Sequence, residues 1–362
     1  MRALFYLLDG DSNASSYHRA LQFFPLLRQH GIEATASRPV PNTAYDRLVE
    51  GRAAGLPGKS AFYSLFLVCR SLDVLRADRF DVVVIQRDLF PFGPPILERA
   101  LRRRNPHVVY DTDDAAYLRP SFTPATPFQK LRRFDKVAEV VRHARWVSVA
   151  TEPIAAWARA FNPRVCVVPM AVDLRAYDSV PRTRHGSGGP IVLGWAGTAG
   201  GIRYLNALAP VLQRLAREHS ILVRVISGGY AQVNLPDVAV DPRPWRAEDH
   251  LAQLASFDIG LVPLDDSPFE QAKFPFKLLQ YLALGIPAVS ARVGTAAHVI
   301  QHDHNGLLAA TPDDWHAALA RLIAEAELRQ RLGSAGHDTV AQHYTVDRVL
   351  PLLVDGLASA AR

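Results

Sequence analysis

Cysteine is scarce. Cys69 and Cys166 are the only two in 362 residues, too few for a disulfide scaffold or a cysteine-built zinc site, so a reducing cytoplasm is the default expectation. Long apolar runs are missing too. The most apolar helical stretch, "SAFYSLFLVCRSLDVLRA" (60–77), is interrupted by Arg70 and Asp73, which leaves it too short and too charged to span a bilayer. It could lie on a bilayer surface, but reads rather as a buried core helix. The opening "MRALFYLLDGDSN" turns acidic and polar after one strand length and lacks the pattern of a secretory signal. There is no short internal repeat and no low-complexity tract, and aromatic and basic residues do not interleave as single-strand nucleic-acid binders require.

What is present points to a soluble globular chain, with 49% apolar and 21% charged residues. At about 150 residues per domain, the length corresponds to roughly two domains, each able to bury its own core. The net charge is +6 and the isoelectric point about 9.4. Basic residues gather in the first half, in "LERALRRRNPH" (97–107) and "FQKLRRFDKVAEVVRHAR" (128–145). Solvated helix faces, nucleic acid, an anionic membrane surface or a phosphorylated substrate would each account for them.

Short apolar runs alternate with helical patterns, the signature of parallel strands buried on both faces. In the first half they are 2–8, 32–37, 81–86, 107–111, 146–150 and 165–169, with helical stretches at 17–30, 60–77, 94–104 and 128–143 among them. "RTRHGSGGP" (182–190) then interrupts with no apolar anchor and reads as a linker. The alternation restarts at 191–197, 222–229, 258–264, 286–291 and 306–310. The expected architecture is two doubly wound α/β domains, 1–181 and 191–345, with a final helix over 346–362. Ligands in such sheets bind beyond the carboxyl ends of the strands.

Those ends carry the candidate chemistry. After the first strand, "DGDSNASSYHRALQFF" (9–24) runs into a helix; Ser15 and Ser16 suit capping, and the loop could hold a sugar or an anion, although neither the Walker spacing nor G-x-G-x-x-G is present in it. After the fourth, "YDTDDA" sets Asp111, Asp113 and Asp114 in four residues. That much like charge needs a cation, sugar hydroxyls or basic side chains to answer it, and metal ligation, sugar binding and acid/base work all remain open there. In the second half, the glycines of "GWAGTAGGIRYL" (194–205) let backbone amides approach a phosphate, with Arg203 one turn into the next helix. Gly228 and Gly229 follow the next strand. In "FEQAKFPFKLLQYLALGIPAVSA" (269–291), Lys273 and Lys277 stand at the start of an apolar helix, where fixed positive charge is unfavourable unless an anion belongs there. Gln280 lies on the side of Lys277, and Gly294 follows the next strand.

These blocks resemble the GT-B glycosyltransferases, and specifically the retaining glycosyltransferase family 4. The resemblance runs nearly the whole length, through "SSYHRALQFFPLLRQHGIE", "DVVVIQRD", "VVYDTDDA", "VPMAVDLRAY" and "GWAGTAGGIRYL", and is most specific in "DIGLVPL…KFPFKLLQYLALGIPAVSARVG…NGLL". It implies two facing Rossmann-like domains with a cleft between them, an acceptor-binding N-terminal half and a C-terminal half holding a nucleotide-diphosphate sugar. It further implies a final helix returning to the first domain, transfer with retention, and no metal or other cofactor. Donor contacts fall on Arg203, Lys273, Lys277, Gln280, Gly197, Thr198, Gly228 and Gly294; acceptor contacts on Ser16, Tyr17, His18 and Arg87; the catalytic aspartates are Asp113, Asp111 and Asp114. Acceptors in many relatives are carried on polyprenyl diphosphate, which makes a glycan, lipid-linked or small-molecule acceptor and an anionic membrane face the expected partners, and cytoplasmic or peripheral membrane the expected location. The family's two glutamates, eight positions apart, are replaced by Ala272 and Gln280, and an aspartate of "YDTDD" replaces its N-domain histidine. Two rival readings stand beside transfer: a sugar-nucleotide epimerase using the same carboxylates, and a non-catalytic sugar-nucleotide binder.

Overall fold

The computed structural model describes residues 1–7, 14–37, 56–120, 130–181, 189–228 and 232–362. The chain forms two compact units, one of Met1–Met170 with Val349–Arg362, the other of Ala171–Arg348. Most of 182–190, and Gly229, lie outside the described residues.

The first unit is a six-stranded sheet in the order β2-β1-β3-β4-β5-β6, built from β1 (Arg2–Tyr6), β2 (Glu33–Ser37), β3 (Val82–Gln86), β4 (Val108–Thr112), β5 (Trp146–Val149) and β6 (Val165–Val167). Every pairing is parallel. Runs such as "VVVIQ" and "VVYDT" are buried at all five positions, as β-branched residues covered by helices on both faces must be. The helix Val346–Ala360 carries the chain's end, whose last residues, 349–362, are counted with this unit.

The second unit repeats the plan in the order β12-β11-β10-β7-β8-β9, from β7 (Ile191–Ala196), β8 (Ile221–Ile226), β9 (Val240–Arg243), β10 (Ile259–Val262), β11 (Ala288–Ala291) and β12 (Leu307–Ala309), again all parallel. Its core runs from Leu193 and Trp195 through Val223, Leu261 and Val289 to Leu319 and Leu332.

Three elements differ from the sequence reading. β9 went unread because Pro242 sits inside it; as an edge strand it tolerates the missing donor. Of the helix expected over 128–143, 128 and 129 lie outside the described residues, 130 and 131 are helical, and the pattern breaks at Arg132, which bridges Phe92, before the helix Lys136–His143. The stretch 60–77 does form a helix, Leu56–Leu75, but one whole side of it faces outward. Among the described residues, no helix is long and apolar enough to cross a membrane.

Candidate functional site

In the second unit the chain winds from β7 outward through β8 to β9, then returns to the other side of β7 with β10 and winds on to β11 and β12. The strand order therefore reverses between β7 and β10, which is where a crevice opens beyond the carboxyl ends of a doubly wound sheet. Gly197 and Thr198 lie just past β7, followed by a 3-10 turn over Ala199–Gly201 and the helix Ile202–Ala207 that carries Arg203. Past β10 come Asp265, Asp266 and Ser267. The Ser267 hydroxyl caps the short helix Pro268–Ala272, and Lys273 joins it to the helix Phe276–Ala283.

Lys277 is fixed by an anchor one turn further along. The Tyr281 ring lies so close to Gly260 of β10 that a Cβ there would fall 2.4 Å from it, and its hydroxyl accepts a hydrogen bond from the Ala196 amide at 2.9 Å. This clamps the helix over the β7/β10 junction. Lys277 Nζ then lies 4.8 Å from the centre of the buried Trp195 ring and so near Gly197 that a Cβ would meet it at 2.5 Å. Only glycine leaves room for the ammonium there. Burial, reinforced by the positive charge of Lys273 and opposed by Glu270, lowers the Lys277 pKa to about 7. No carboxylate among the described residues forms an ion pair with it.

A second chain of contacts holds Arg203. Its guanidinium stacks over the neighbouring Tyr204 ring at 4.3 Å, donates to the Tyr204 hydroxyl at 2.7 Å and pairs with Asp265 at 2.8 Å. The Tyr204 hydroxyl donates in turn to Glu270. Glu270 is almost wholly buried, and its second oxygen, Oε2, makes no hydrogen bond. Burial and the Glu270 carboxylate together push the Tyr204 hydroxyl pKa above its ordinary range. Lys273 Nζ lies 5.9 Å from the Phe269 ring.

The remaining candidates of this unit sit around the same rim. Gly294 adopts φ +48°, and a Cβ there would strike the Gln271 carbonyl oxygen at 2.3 Å; its amide donates to the Gln271 side chain at 2.9 Å. Thr198 is exposed, and Gly228 stands in open space at the end of β8. Gln280 donates to the Tyr177 hydroxyl at 3.3 Å. Ala272, at the position of the family's first glutamate, is buried and apolar.

In the first unit, the order reverses between β1 and β3. Asp111, at the end of β4, is buried and gripped by both arms of Arg19, which also donates to Ser148 at 2.9 Å. Asp113 accepts from the Ser15 hydroxyl at 2.8 Å. Burial first, then the neighbouring Asp114, raise the Asp113 pKa, while Arg87, Arg19 and the Ser15 bond pull it down. Arg87 follows β3 with φ 64°, unusual for a side-chain-bearing residue, and stands 3.8 Å from Asp114. Ser16 is buried and bonds Gln86 at 3.4 Å, while Tyr17 is exposed, its ring edge-on to His18 at 5.0 Å. Asp111, Asp113, Asp114, Arg87, Ser16, Tyr17 and His18 thus gather at the carboxyl ends of β3 and β4 and the helix Ala14–Arg19.

Glu270, Tyr204, Trp195 and Asp265 were not anticipated. Glu270 stands inside the quoted stretch, but the eight-residue spacing back from Gln280 leads to Ala272. Tyr204 and Trp195 have no polar signature of their own.

Residues 198–325, which contain Arg203, Lys273, Lys277, Gln280 and Gly294, match the family described as glycosyl transferases group 1. Over 105 residues the chain is 26% identical to N-acetyl-alpha-D-glucosaminyl L-malate synthase of Bacillus anthracis; the match covers 28% of this chain and 26% of that protein. The chain thus aligns with about a quarter of the length of that curated relative. Among solved structures, sucrose-phosphate synthase of Thermosynechococcus elongatus superposes with a TM-score of 0.69 at 16% identity, covering 99% of each chain. HepE of Anabaena, solved with UDP and glucose, superposes with a TM-score of 0.68 at 14% identity, covering 99% of this chain and 100% of that one. The fold is thus that of the GT-B glycosyltransferases, and within the second unit residues 198–325 are similar to the group 1 glycosyltransferases.

Proposed function

We propose that this protein transfers a sugar from a nucleoside-diphosphate sugar to an acceptor hydroxyl, with retention at the anomeric carbon, in the synthesis of a bacterial polysaccharide, glycolipid or other glycoconjugate. The observation that carries the reading is Lys277. A lysine held partly buried over Trp195 and Gly197, beside a second lysine and at a strand-order reversal, is costly unless an anion completes it. Arg203, held by Asp265 and Tyr204, supplies the forked donor that suits a phosphate. As the bond from the anomeric carbon to the phosphate oxygen lengthens, negative charge grows on the leaving diphosphate, and Arg203, Lys273 and Lys277 stand ready to stabilise it without reorganising.

Gly197, Thr198, Gly228 and Gly294 give the donor close access to backbone, and Gln280 reaches a hydroxyl or base edge. Gln280 replaces one family glutamate; Glu270, with its unbonded oxygen, offers a carboxylate two residues before the empty position at Ala272. On the acceptor side, Asp113 orients the reacting hydroxyl, Asp114 and Arg87 flank it, and Asp111 holds Arg19. Ser16 supports Gln86, while Tyr17 and His18 provide contact surface. No metal enters the step, so transfer should be unchanged by EDTA.

HepE is described with UDP and with UDP-glucose, which makes uridine nucleotides the first probes here. The test is a transfer assay on the wild-type protein and on Lys273→Ala. The variant should remain folded and lose activity by about two orders of magnitude or more, as removal of a preorganised charge commonly does. Near-normal turnover would remove the diphosphate assignment. A second reading, epimerisation, draws on Asp113 and Asp114, since burial first and then the neighbouring Asp114 raise the Asp113 pKa. Incubation of the nucleotide sugar without acceptor distinguishes the two, because only an epimerase would convert it.

A further inference from the structure

Arg87 sits at the centre of a three-residue turn. Across it the Asp88 amide donates to the Gln86 carbonyl at 2.9 Å, with Arg87 at φ 64°. A γ-turn of this hand is rare and strained, and such a conformation persists only where its surroundings over-determine it. On the leading side, the Gln86 side chain donates to the Ser15 carbonyl at 2.9 Å, and the Arg87 amide to the Asp111 carbonyl at 2.9 Å. On the trailing side, the Asp88 carboxylate is buried. It meets Lys136 Nζ at 3.1 Å, and Arg132 stands 3.9 Å away.

Lys136 is itself buried, at the first position of the helix Lys136–His143, where a lysine opposes the helix dipole. Its ammonium also meets Glu98 at 3.2 Å and donates to the Phe90 carbonyl. The same stretch is tied to the loop again by the Arg132–Phe92 bridge and by the Gly93 amide, which donates to the Leu131 carbonyl at 3.2 Å. Buried ions are weak evidence for stability, because desolvation takes back most of what attraction gives and apolar replacements often serve as well. Burial raises the Glu98 pKa even against the pull of Lys136. What the ions supply, beyond an apolar cluster, is a fixed direction for the Asp88 carboxylate and so for the end of the turn. That turn carries Arg87, whose guanidinium stands 3.8 Å from Asp114.

We propose that Asp88 and Lys136 are positioning residues of the transfer reaction: their buried ion pair clamps the strained turn at Arg87 and so holds its guanidinium beside Asp114. Neither touches substrate; both act through Arg87. Glu98 pairs with Lys136 but makes no side-chain bond to residues 86–88. The role given to Arg87 rests on the transfer reading, whereas the clamp is a property of the first unit alone.

The test compares Asp88→Leu with Glu98→Leu in the full chain. Each removes one carboxylate and leaves Lys136 paired with the other, so a cluster that only stabilised the fold would respond alike to both. Two readouts are taken: hydrogen exchange at the Asp88 amide, and turnover of UDP-glucose with glucose as the acceptor probe. Asp88→Leu should speed exchange of that amide at least about tenfold. It should lower kcat at least about tenfold, as small misplacements in a site commonly do. Its KM for the donor should stay within about twofold of wild type, because the residues proposed to hold the donor lie on the other unit. Glu98→Leu should leave both readouts close to wild type, and adding Lys136→Met to it should reproduce Asp88→Leu. Arg87→Ala should lower kcat less in the Asp88→Leu background than in the wild type, since the two act through one contact. Should Asp88→Leu fail to fold, Asp88→Asn keeps the shape without the charge and should move both readouts the same way. Unchanged exchange at the Asp88 amide overturns the proposal. So do equal losses in Asp88→Leu and Glu98→Leu, or losses from Asp88→Leu and Arg87→Ala that multiply. A wild type that turns over none of the UDP-, GDP-, CDP- and TDP-glucose donors removes the transfer reading instead, and exchange at the Asp88 amide then decides the clamp alone.

Discussion

Lys277 carries an electrostatic cost that the proposed diphosphate would offset. Its charged form is disfavoured by burial and by Lys273, and its pKa falls to about 7. Between about pH 7 and its ordinary value, an unfolded chain binds this proton and the native protein does not, so native stability declines as pH falls through that window. Binding of a diphosphate reverses the preference and draws the proton in. Affinity for a nucleotide sugar should therefore be flat below about pH 7 and weaken as pH rises above it, by up to about tenfold per unit. Titration calorimetry at a series of pH values would show this slope in the wild type and its loss in Lys277→Met. Glu270 offers a second test. Glu270→Gln keeps the hydrogen bond to Tyr204, whereas Glu270→Ala leaves both Tyr204 and Arg203 loose; if Glu270 acts only as a support, Gln should retain most binding and Ala should lose about tenfold, a little over the net worth of one hydrogen bond. A large loss in both would mean that the carboxylate charge itself touches the donor. In the first unit, Asp111→Ala leaves Arg19 buried without its partner and should cost about 3–5 kcal/mol in chemical denaturation. At this scale the cations were legible because lysine at an apolar helix start contradicts the helix dipole. Glu270 was not, because a buried carboxylate two residues off a known spacing looks in sequence like any acidic residue in a helix's first turn.

The helix Phe276–Ala283 sets the site through Tyr281, whose hydroxyl holds the Ala196 amide and whose ring fills the space above Gly260. Tyr281→Phe should cost about 1–3 kcal/mol by leaving that amide unpaired and should weaken nucleotide binding as well, because the helix then has one less tie to β7. A thermal melt and a binding titration on the same variant would separate the two effects. Eleven of the strands could be read as apolar runs between turn residues, since strands covered on both faces must be continuously apolar. Pro242 hid β9, and the bridge of Arg132 to Phe92 interrupts the helical pattern between 131 and Lys136. The outward side of Leu56–Leu75 was illegible for another reason: a helix apolar on both sides looks the same in sequence whether its second side is covered by protein or faces outward.

Each unit has its own sheet, its own strand-order reversal and its own cluster of polar groups beyond the strand ends. The residues proposed to hold the donor all lie on the unit of Ala171–Arg348, and the aspartates and Arg87 on the other. A nucleoside diphosphate without its sugar should therefore protect amides of 197–205, 263–281 and 292–296 from hydrogen exchange and leave 86–88 and 111–114 unchanged, since the aspartates are assigned to sugar and acceptor alone. The most direct test of the donor assignment is the melting temperature with UDP, GDP, CDP and TDP, for the wild type and for Lys277→Met combined with Arg203→Ala. A ligand that binds only the native state at about 100 times its dissociation constant adds about 2.7 kcal/mol of stability. At least one nucleotide should raise the wild-type melting temperature and leave the double variant's unmoved. A wild type that none of the four stabilises, or a double variant stabilised as much as the wild type, would contradict it.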